Sequence, residues 1–223
     1  MKHLSILNVL LVLALYPLNG QEQHGKTGDV IVIETSMGDM EVLLYDDTPL
    51  HRDNMLKLAD DGYYNDLIFH RVINNFMIQG GDPHSKGAPR GQRLGTGGPG
   101  YTIPAEFKEQ HFHKKGALAA ARQGDNVNPK KESSGSQFYI VQGQVFNTDQ
   151  LTMMQSSGHH TPFTPEQIEA YTTVGGTPHL DGSYTVFGEV IVGMEILDSI
   201  AAVKTDNYDR PLEDVAFSIR IKE

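Results

Sequence analysis

The sequence contains no cysteine and no tryptophan, and its 18 basic residues are outnumbered by 28 acidic ones. Without a thiol there is neither a disulfide framework nor a cysteine-ligated metal site. A net charge of -10 repels a phosphate backbone, so nucleic acid is not expected as a partner. There are no internal repeats, and no Gly-x-Ser-x-Gly elbow surrounds Ser133, Ser134 or Ser136, which removes the usual setting of a hydrolytic serine. Gly95-Thr96-Gly97-Gly98-Pro99-Gly100 matches the dinucleotide pattern of glycines, but Tyr101-Thr102-Ile103-Pro104 continues extended where that motif must open a helix. No nucleotide cofactor is expected, and no other cofactor is implied. Of the 10 histidines, His111 and His113 lie two apart and His159-His160 are adjacent, but spacing by two on a loop without acidic ligands does not make a metal site. No metal is expected.

What is present points to a turn-rich β domain. With 223 residues, 39% of them hydrophobic, and 23 glycines, the chain can bury a real core within one domain. Met1 to Gly20 carries a lysine near its start and an apolar run from Leu4 to Leu18, the pattern of a secretory signal peptide, with cleavage expected after Gly20. The run is short for a membrane span. The mature protein is therefore expected to be exported, periplasmic or secreted, with no membrane segment, and residues 28–223 to form the domain.

Asp29 to Thr35 and Met40 to Tyr45 alternate as an opening hairpin. A helix follows, with Thr48 as its cap, Pro49 at its first position and Gly62 as its stop. Further strands are predicted at Phe69 to Ile73, Phe76 to Gln79, Gly116 to Ala121, Ser136 to Gln142, Tyr184 to Val192 and Asp214 to Ile221, and a second helix at about Met194 to Val203. Eight antiparallel strands with one early and one late helix predict a mainly β, closed eight-stranded barrel capped by two α-helices. Residues 144–178 are less regular and read as an insertion beside the site, with a short capped helix from Thr164 to about Tyr171.

The most informative stretch is Phe69 to Asp82, Phe-His-Arg-Val-Ile-Asn-Asn-Phe-Met-Ile-Gln-Gly-Gly-Asp, a hairpin turned by Asn74-Asn75. Alternation puts Arg71 and Ile73 on one face of the first strand, and Phe76 and Ile78 on one face of the second, opposite Met77 and Gln79. His70 turns away from Arg71 and reads as structural. A guanidinium, an aromatic ring, a thioether and an amide thus crowd a small area.

This stretch closely resembles the signature of the cyclophilin-type peptidyl-prolyl cis/trans isomerases. Gly135-Ser136-Gln137-Phe138-Tyr139-Ile140, and Leu180-Asp181-Gly182 followed by Val186-Phe187-Gly188-Glu189-Val190, fit the same family in order. The resemblance implies a cyclophilin-like barrel and rotation about X-Pro bonds, whose barrier of about 18–20 kcal/mol comes from amide resonance. It assigns Arg71 as the donor to the prolyl nitrogen and Gln79 as its support. It places Phe76, Met77, Tyr139 and Leu180 around the proline, and has Gln137 and the backbone around Ala121 and Arg122 grip the peptide. His179 stands where many members have tryptophan, Tyr184 where many have histidine, and Tyr139 where phenylalanine is common, so the pocket keeps its shape and gains hydroxyls.

The implied partners are proline-containing unfolded or flexible polypeptides, handled by a monomer that assists the folding of exported chains. The alternative is a proline-peptide-binding chaperone or scaffold with little turnover. Arg71 separates the two, because a pure binding groove has no use for a donor at the prolyl nitrogen. A ligand- or glycan-binding barrel would need aromatics along the rim from Asp82 to Gly100, and only Tyr101 at its edge qualifies.

Overall fold

The computed structural model describes residues 28–158 and 161–223. The leader expected at 1–20 and the His159-His160 pair lie outside the described residues. One sheet of nine strands dominates: β1 (Val30–Thr35), β2 (Gly38–Leu44), β3 (Leu67–Ile68), β4 (Arg71–Ile73), β5 (Met77–Gly80), β7 (Ala117–Ala120), β9 (Phe138–Val141), β10 (Val186–Val192) and β11 (Ala216–Ile221). Its order is β3-β11-β1-β2-β10-β7-β9-β5-β4, and every pairing is antiparallel. Two further strands, β6 (Thr102–Ile103) and β8 (Ser133–Ser134), form a separate ribbon. The mainly β reading holds. The strand count differs from eight, and no ladder joins the two edge strands, so the closed eight-stranded barrel is replaced by a nine-stranded sheet open in its hydrogen bonding.

The extra strand, β3, lies just before the strand predicted at Phe69 to Ile73 and is set by pairing with the distant β11. Phe69 to Ile73 reads as one strand, but the Phe69 N–H donates to Val215 and the Val72 N–H to Asp209, so the chain leaves β11 and joins β5 within four residues. The described residues hold four α-helices: α1 (Pro49–Asp60) and α4 (Met194–Ala201), the early and late helices expected, α3 (Pro165–Thr173), the short helix expected in the insertion, and α2 (Thr148–Ser156), where no helix was predicted. The pair α2 and α3 fills the insertion, and both start with a complete capping box, Asn147 with Gln150 and Thr164 with Gln167.

Thr48 does not cap α1. Its hydroxyl donates to the Tyr45 carbonyl, and the N-terminal turn is capped by Glu106, which accepts from the Leu50 N–H at 3.1 Å, the His51 N–H at 3.0 Å and His51 Nδ1 at 2.6 Å. A carboxylate suits this place because orphan N–H groups and the helix dipole both favour negative charge. Glu106→Ala is expected to cost about 2–3 kcal/mol, since hydrogen bonds to a charged acceptor are lost and buried donors are left unmet. Urea unfolding would check this, and a loss below about 1 kcal/mol would show that the cap is not needed.

Strand alternation divides the apolar residues between two clusters. Phe138 and Ile140 of β9, with Leu118 and Ala120 of β7, face the main core beside Ile31, Ile33, Phe69, Ile78 and Phe217. Tyr139 and Val141, with Ala117 and Ala119, face a second cluster with Met77 and Val186. Because both faces are buried, β9 reads as the unbroken run Phe-Tyr-Ile-Val. A third cluster joins Leu151, Phe163 and Tyr171 of the insertion to Phe112.

Candidate active site

The sheet register lays the site out in rows. Arg71 pairs with Gln79, Gln79 with Tyr139, and Tyr139 with Ala119, so these side chains stand in one line across β4, β5, β9 and β7. The next row holds Ile73, Met77 and Val141. Phe76 departs from the expected alternation. It belongs to the turn before β5, and its ring packs with Met77 and Tyr139, not with Ile78.

These rows border a cavity of about 120 Å³. Its walls are Phe76, Met77, Ala121, Tyr139, Leu180 and Tyr184, with Arg71, Gln79 and Arg122 supplying the polar edge. Leu180 is presented by a 3-10 turn, Pro178–Leu180. Two expected residues stand behind this wall. His179 stacks on Phe76 with ring centroids 5.7 Å apart. Gln137 is buried, donates to the Gly97 carbonyl at 2.7 Å and accepts from Gln79 Nε2 at 3.1 Å.

Arg71 is held from two sides. Its Nη1 approaches Gln79 Oε1 at 3.5 Å and its Nε lies 3.5 Å from Asp209 Oδ2. Gln137 orients Gln79, which faces Arg71, so two amides in series aim the guanidinium. Asp209 was not singled out from the sequence. It adopts φ 64°, and its loop is anchored by Arg210, which forks onto Asp214 at 3.0 and 2.9 Å and donates to the Pro89 and Ala88 carbonyls. The turn-rich run Asp206-Asn207-Tyr208-Asp209 was its only local signal.

Arg122 does more than lend backbone. Its Nε donates to the Ser183 carbonyl at 2.7 Å and its guanidinium lies 4.5 Å from the Tyr184 ring centre, which fixes that wall. The Tyr139 hydroxyl meets His113 Nε2 at 2.9 Å, so it is committed within the protein. Burial raises the Tyr139 hydroxyl well above its ordinary range. The glycine-rich run belongs to a loop that leads to β6, and a Cβ on Gly97 would collide with Asp82 Oδ1.

His70 is buried, and neither ring nitrogen has a partner among the described residues. Desolvation lowers its pKa from 6.5 to about 4. The unfolded chain then takes up the proton first as pH falls, so His70's contribution to stability is complete above about 6.5 and is lost as pH drops through about 4. The shift corresponds to about 3 kcal/mol. Urea unfolding at pH 7 and pH 4 is expected to show a smaller acid loss in His70→Leu than in the wild type. Equal losses would mean that His70 is not the group that titrates.

Comparison with known proteins agrees with this geometry. The family model described as cyclophilin type peptidyl-prolyl cis-trans isomerase/CLD matches residues 30–220. A Staphylococcus aureus (strain USA300) protein assigned as a peptidyl-prolyl cis-trans isomerase is 38% identical over 214 residues, 95% of this chain and 100% of that protein. A Streptococcus pyogenes serotype M6 protein assigned as a bifunctional phosphatase/peptidyl-prolyl cis-trans isomerase is 39% identical over 203 residues, and the match spans 90% of this chain but 39% of that longer protein. The crystal structure of a Cryptosporidium parvum cyclophilin type peptidyl-prolyl cis-trans isomerase superposes with a TM-score of 0.63 at 26% identity, covering 88% of this chain and 99% of its own. The same protein in the presence of the dipeptide Ala-Pro gives 0.61 at 25% identity, covering 87% and 99%. From the hairpin signature, the row of Arg71, Gln79 and Tyr139, and the match over nearly the whole domain, the chain belongs to the cyclophilin-type peptidyl-prolyl cis-trans isomerases.

Proposed function

We propose that this isomerase seats the proline ring of an unfolded or flexible polypeptide between Phe76, Met77, Tyr139 and Leu180, and that Arg71 donates a hydrogen bond to the prolyl nitrogen as the bond twists. The observation that carries this reading is the position of Arg71, a guanidinium braced by Gln79 and Asp209 on the edge of a small cavity that also presents Phe76, Met77, Ala121 and Leu180. When resonance breaks, the prolyl nitrogen becomes pyramidal and basic, so a donor there binds the twisted state more strongly than the planar one. Arginine suits the task because it stays protonated and its donors form a rigid fork. Ala121, Arg122, Gln137 and Tyr184 hold the flanking peptide or the walls that receive it, and His179 backs the Phe76 ring.

The substrates we infer are exported chains whose folding waits on proline isomerisation. The apolar leader Met1 to Gly20 supports export to the periplasm or the medium, and a single self-contained site supports a monomer. Magnetisation exchange between cis and trans forms of an Ala-Pro peptide tests the chemistry. Acceleration by catalytic amounts of protein is the expected result, and binding without acceleration would favour a recognition groove. For export, the mature protein from a secreting host is expected to begin at Gln21, and retention of Met1 on protein confined to the cytoplasm would refute it.

A further inference from the structure

A continuous line of hydrogen bonds connects the inserted helix α3 to the wall of the proline pocket. Tyr139 Oη meets His113 Nε2 at 2.9 Å, and His113 Nδ1 lies 2.9 Å from Asp181 Oδ1. That oxygen also accepts from the His113 main-chain N–H at 2.9 Å. The other carboxylate oxygen, Oδ2, accepts from the Tyr171 hydroxyl at 2.7 Å and from Gln167 Nε2 at 3.4 Å. His113 and Tyr171 are both 0% exposed, and Gln167 is 6% exposed.

Donor and acceptor accounting sets the direction of the step onto Asp181. A carboxylate only accepts, so His113 gives Asp181 its Nδ1 proton, and in the neutral imidazole Nε2 then keeps a lone pair for the Tyr139 hydroxyl. Burial first raises the Tyr139 and Tyr171 hydroxyls far above their ordinary range, followed by Tyr184 and Asp181 for Tyr139 and by Asp181 for Tyr171, so both stay protonated. Two of the donors to Asp181, Tyr171 and Gln167, come from α3, which rests on an apolar cluster with Phe112, Leu151 and Phe163. The inserted helix therefore bears on the pocket through buried polar contacts. It does not line the cavity itself.

We propose that Asp181, together with Tyr171 and Gln167 of the inserted helix, is a positioning unit that fixes the Tyr139 wall through His113, so that the insertion sets how tightly the proline is held. The inference rests on reading the cavity as the proline seat. In a low-dielectric interior a saturated network holds a side chain to one orientation, and losing one donor lets the neighbours readjust. Couplings of this kind change binding by about 2- to 30-fold.

The test is NMR titration of the full-length protein with an Ala-Pro peptide, with cis/trans exchange measured in the saturated complex. In the wild type, the Met77 and Tyr139 signals are expected to move with the peptide, and if they stay still the proline-seat reading itself fails. Tyr171→Phe keeps the buried ring and is expected to raise Kd about 2- to 30-fold, with the exchange rate in the complex within about twofold. In a Tyr139→Phe background the same substitution is expected to change Kd less than twofold, because the line to the wall is already cut. An unchanged Kd in Tyr171→Phe, or equal effects in both backgrounds, would overturn the proposal even where the peptide still binds. Should Tyr171→Phe fail to fold, Gln167→Ala removes the other helix donor and decides the matter by the same cycle.

Discussion

Arg71→Ala is expected to lower kcat/KM for an Ala-Pro peptide by about 10²–10³-fold, nearly all of it in kcat. The figure is what removal of one preorganised transition-state donor costs in other enzymes. The effect falls on kcat because the hydrogen bond to the prolyl nitrogen gains strength only as the amide twists, while the apolar seat that holds the ground state is untouched. The fold should be unaffected, since the Arg71 pair with Asp209 spans 3.5 Å with side chains 41% and 43% exposed, and such pairs contribute about 1 kcal/mol or less. Arg71→Lys should recover activity only in part: an ammonium keeps the charge but cannot reach Asp209, Gln79 and the substrate with one rigid fork. Exchange spectroscopy on both variants measures this directly. A loss below about tenfold in Arg71→Ala would remove Arg71 from the chemistry and leave the cavity as a seat without a catalyst.

Phe138→Ala is expected to destabilise the protein by about 3–5 kcal/mol, the range for truncating a buried aromatic ring. Phe138 is 1% exposed and meets Tyr64, Phe69 and Phe217 edge-on, with ring centroids 5.9, 6.5 and 5.7 Å apart. Those three rings come from the segment after α1, the crossing between β3 and β4, and β11, so the void would open where three parts of the sheet converge. For a chain of this length each kcal/mol moves the midpoint by about 2–4 °C, which gives a fall of about 6–20 °C in a thermal scan. Because β9 carries Phe138 and Tyr139 on opposite faces, the loss should also loosen the pocket wall, and peptide affinity measured well below the midpoint should weaken with it. A midpoint within 2 °C of the wild type would mean that the neighbouring rings close the gap.

How much of this was legible depended on whether the cause was local. The hairpin, the crowding of Arg71, Met77 and Gln79, the helix at Pro49 and the start of α3 at Thr164 follow from alternation, turn residues and capping, which act over a few positions. Phe76 was misplaced because the turn is one residue longer than alternation assumed, and a one-residue slip moves a side chain to the other face. The capping box of Asn147 and Gln150 was a readable signal for α2 that went unused. Glu106 under α1 and Asp209 beside Arg71 were out of reach, since each acts on a segment 55 or more residues away in the chain, and nothing near either residue signals its partner. The strand count failed for the same reason: β3 at Leu67–Ile68, just ahead of the predicted strand, is made by pairing with β11, and the Phe69 and Val72 N–H groups are taken by carbonyls of Val215 and Asp209.

The borders of the large sheet are β3, two residues long, and β4, three residues long, and the N–H groups of Phe69 and Val72 at that seam are already taken by main-chain carbonyls. A long bare border would act as a template on which a stray polypeptide could add itself as one more strand. An isomerase that acts on unfolded or flexible polypeptides, as proposed for this protein, would meet such strays at every encounter. Short, occupied borders let it handle them through the cavity alone, without becoming the seed on which its clients aggregate.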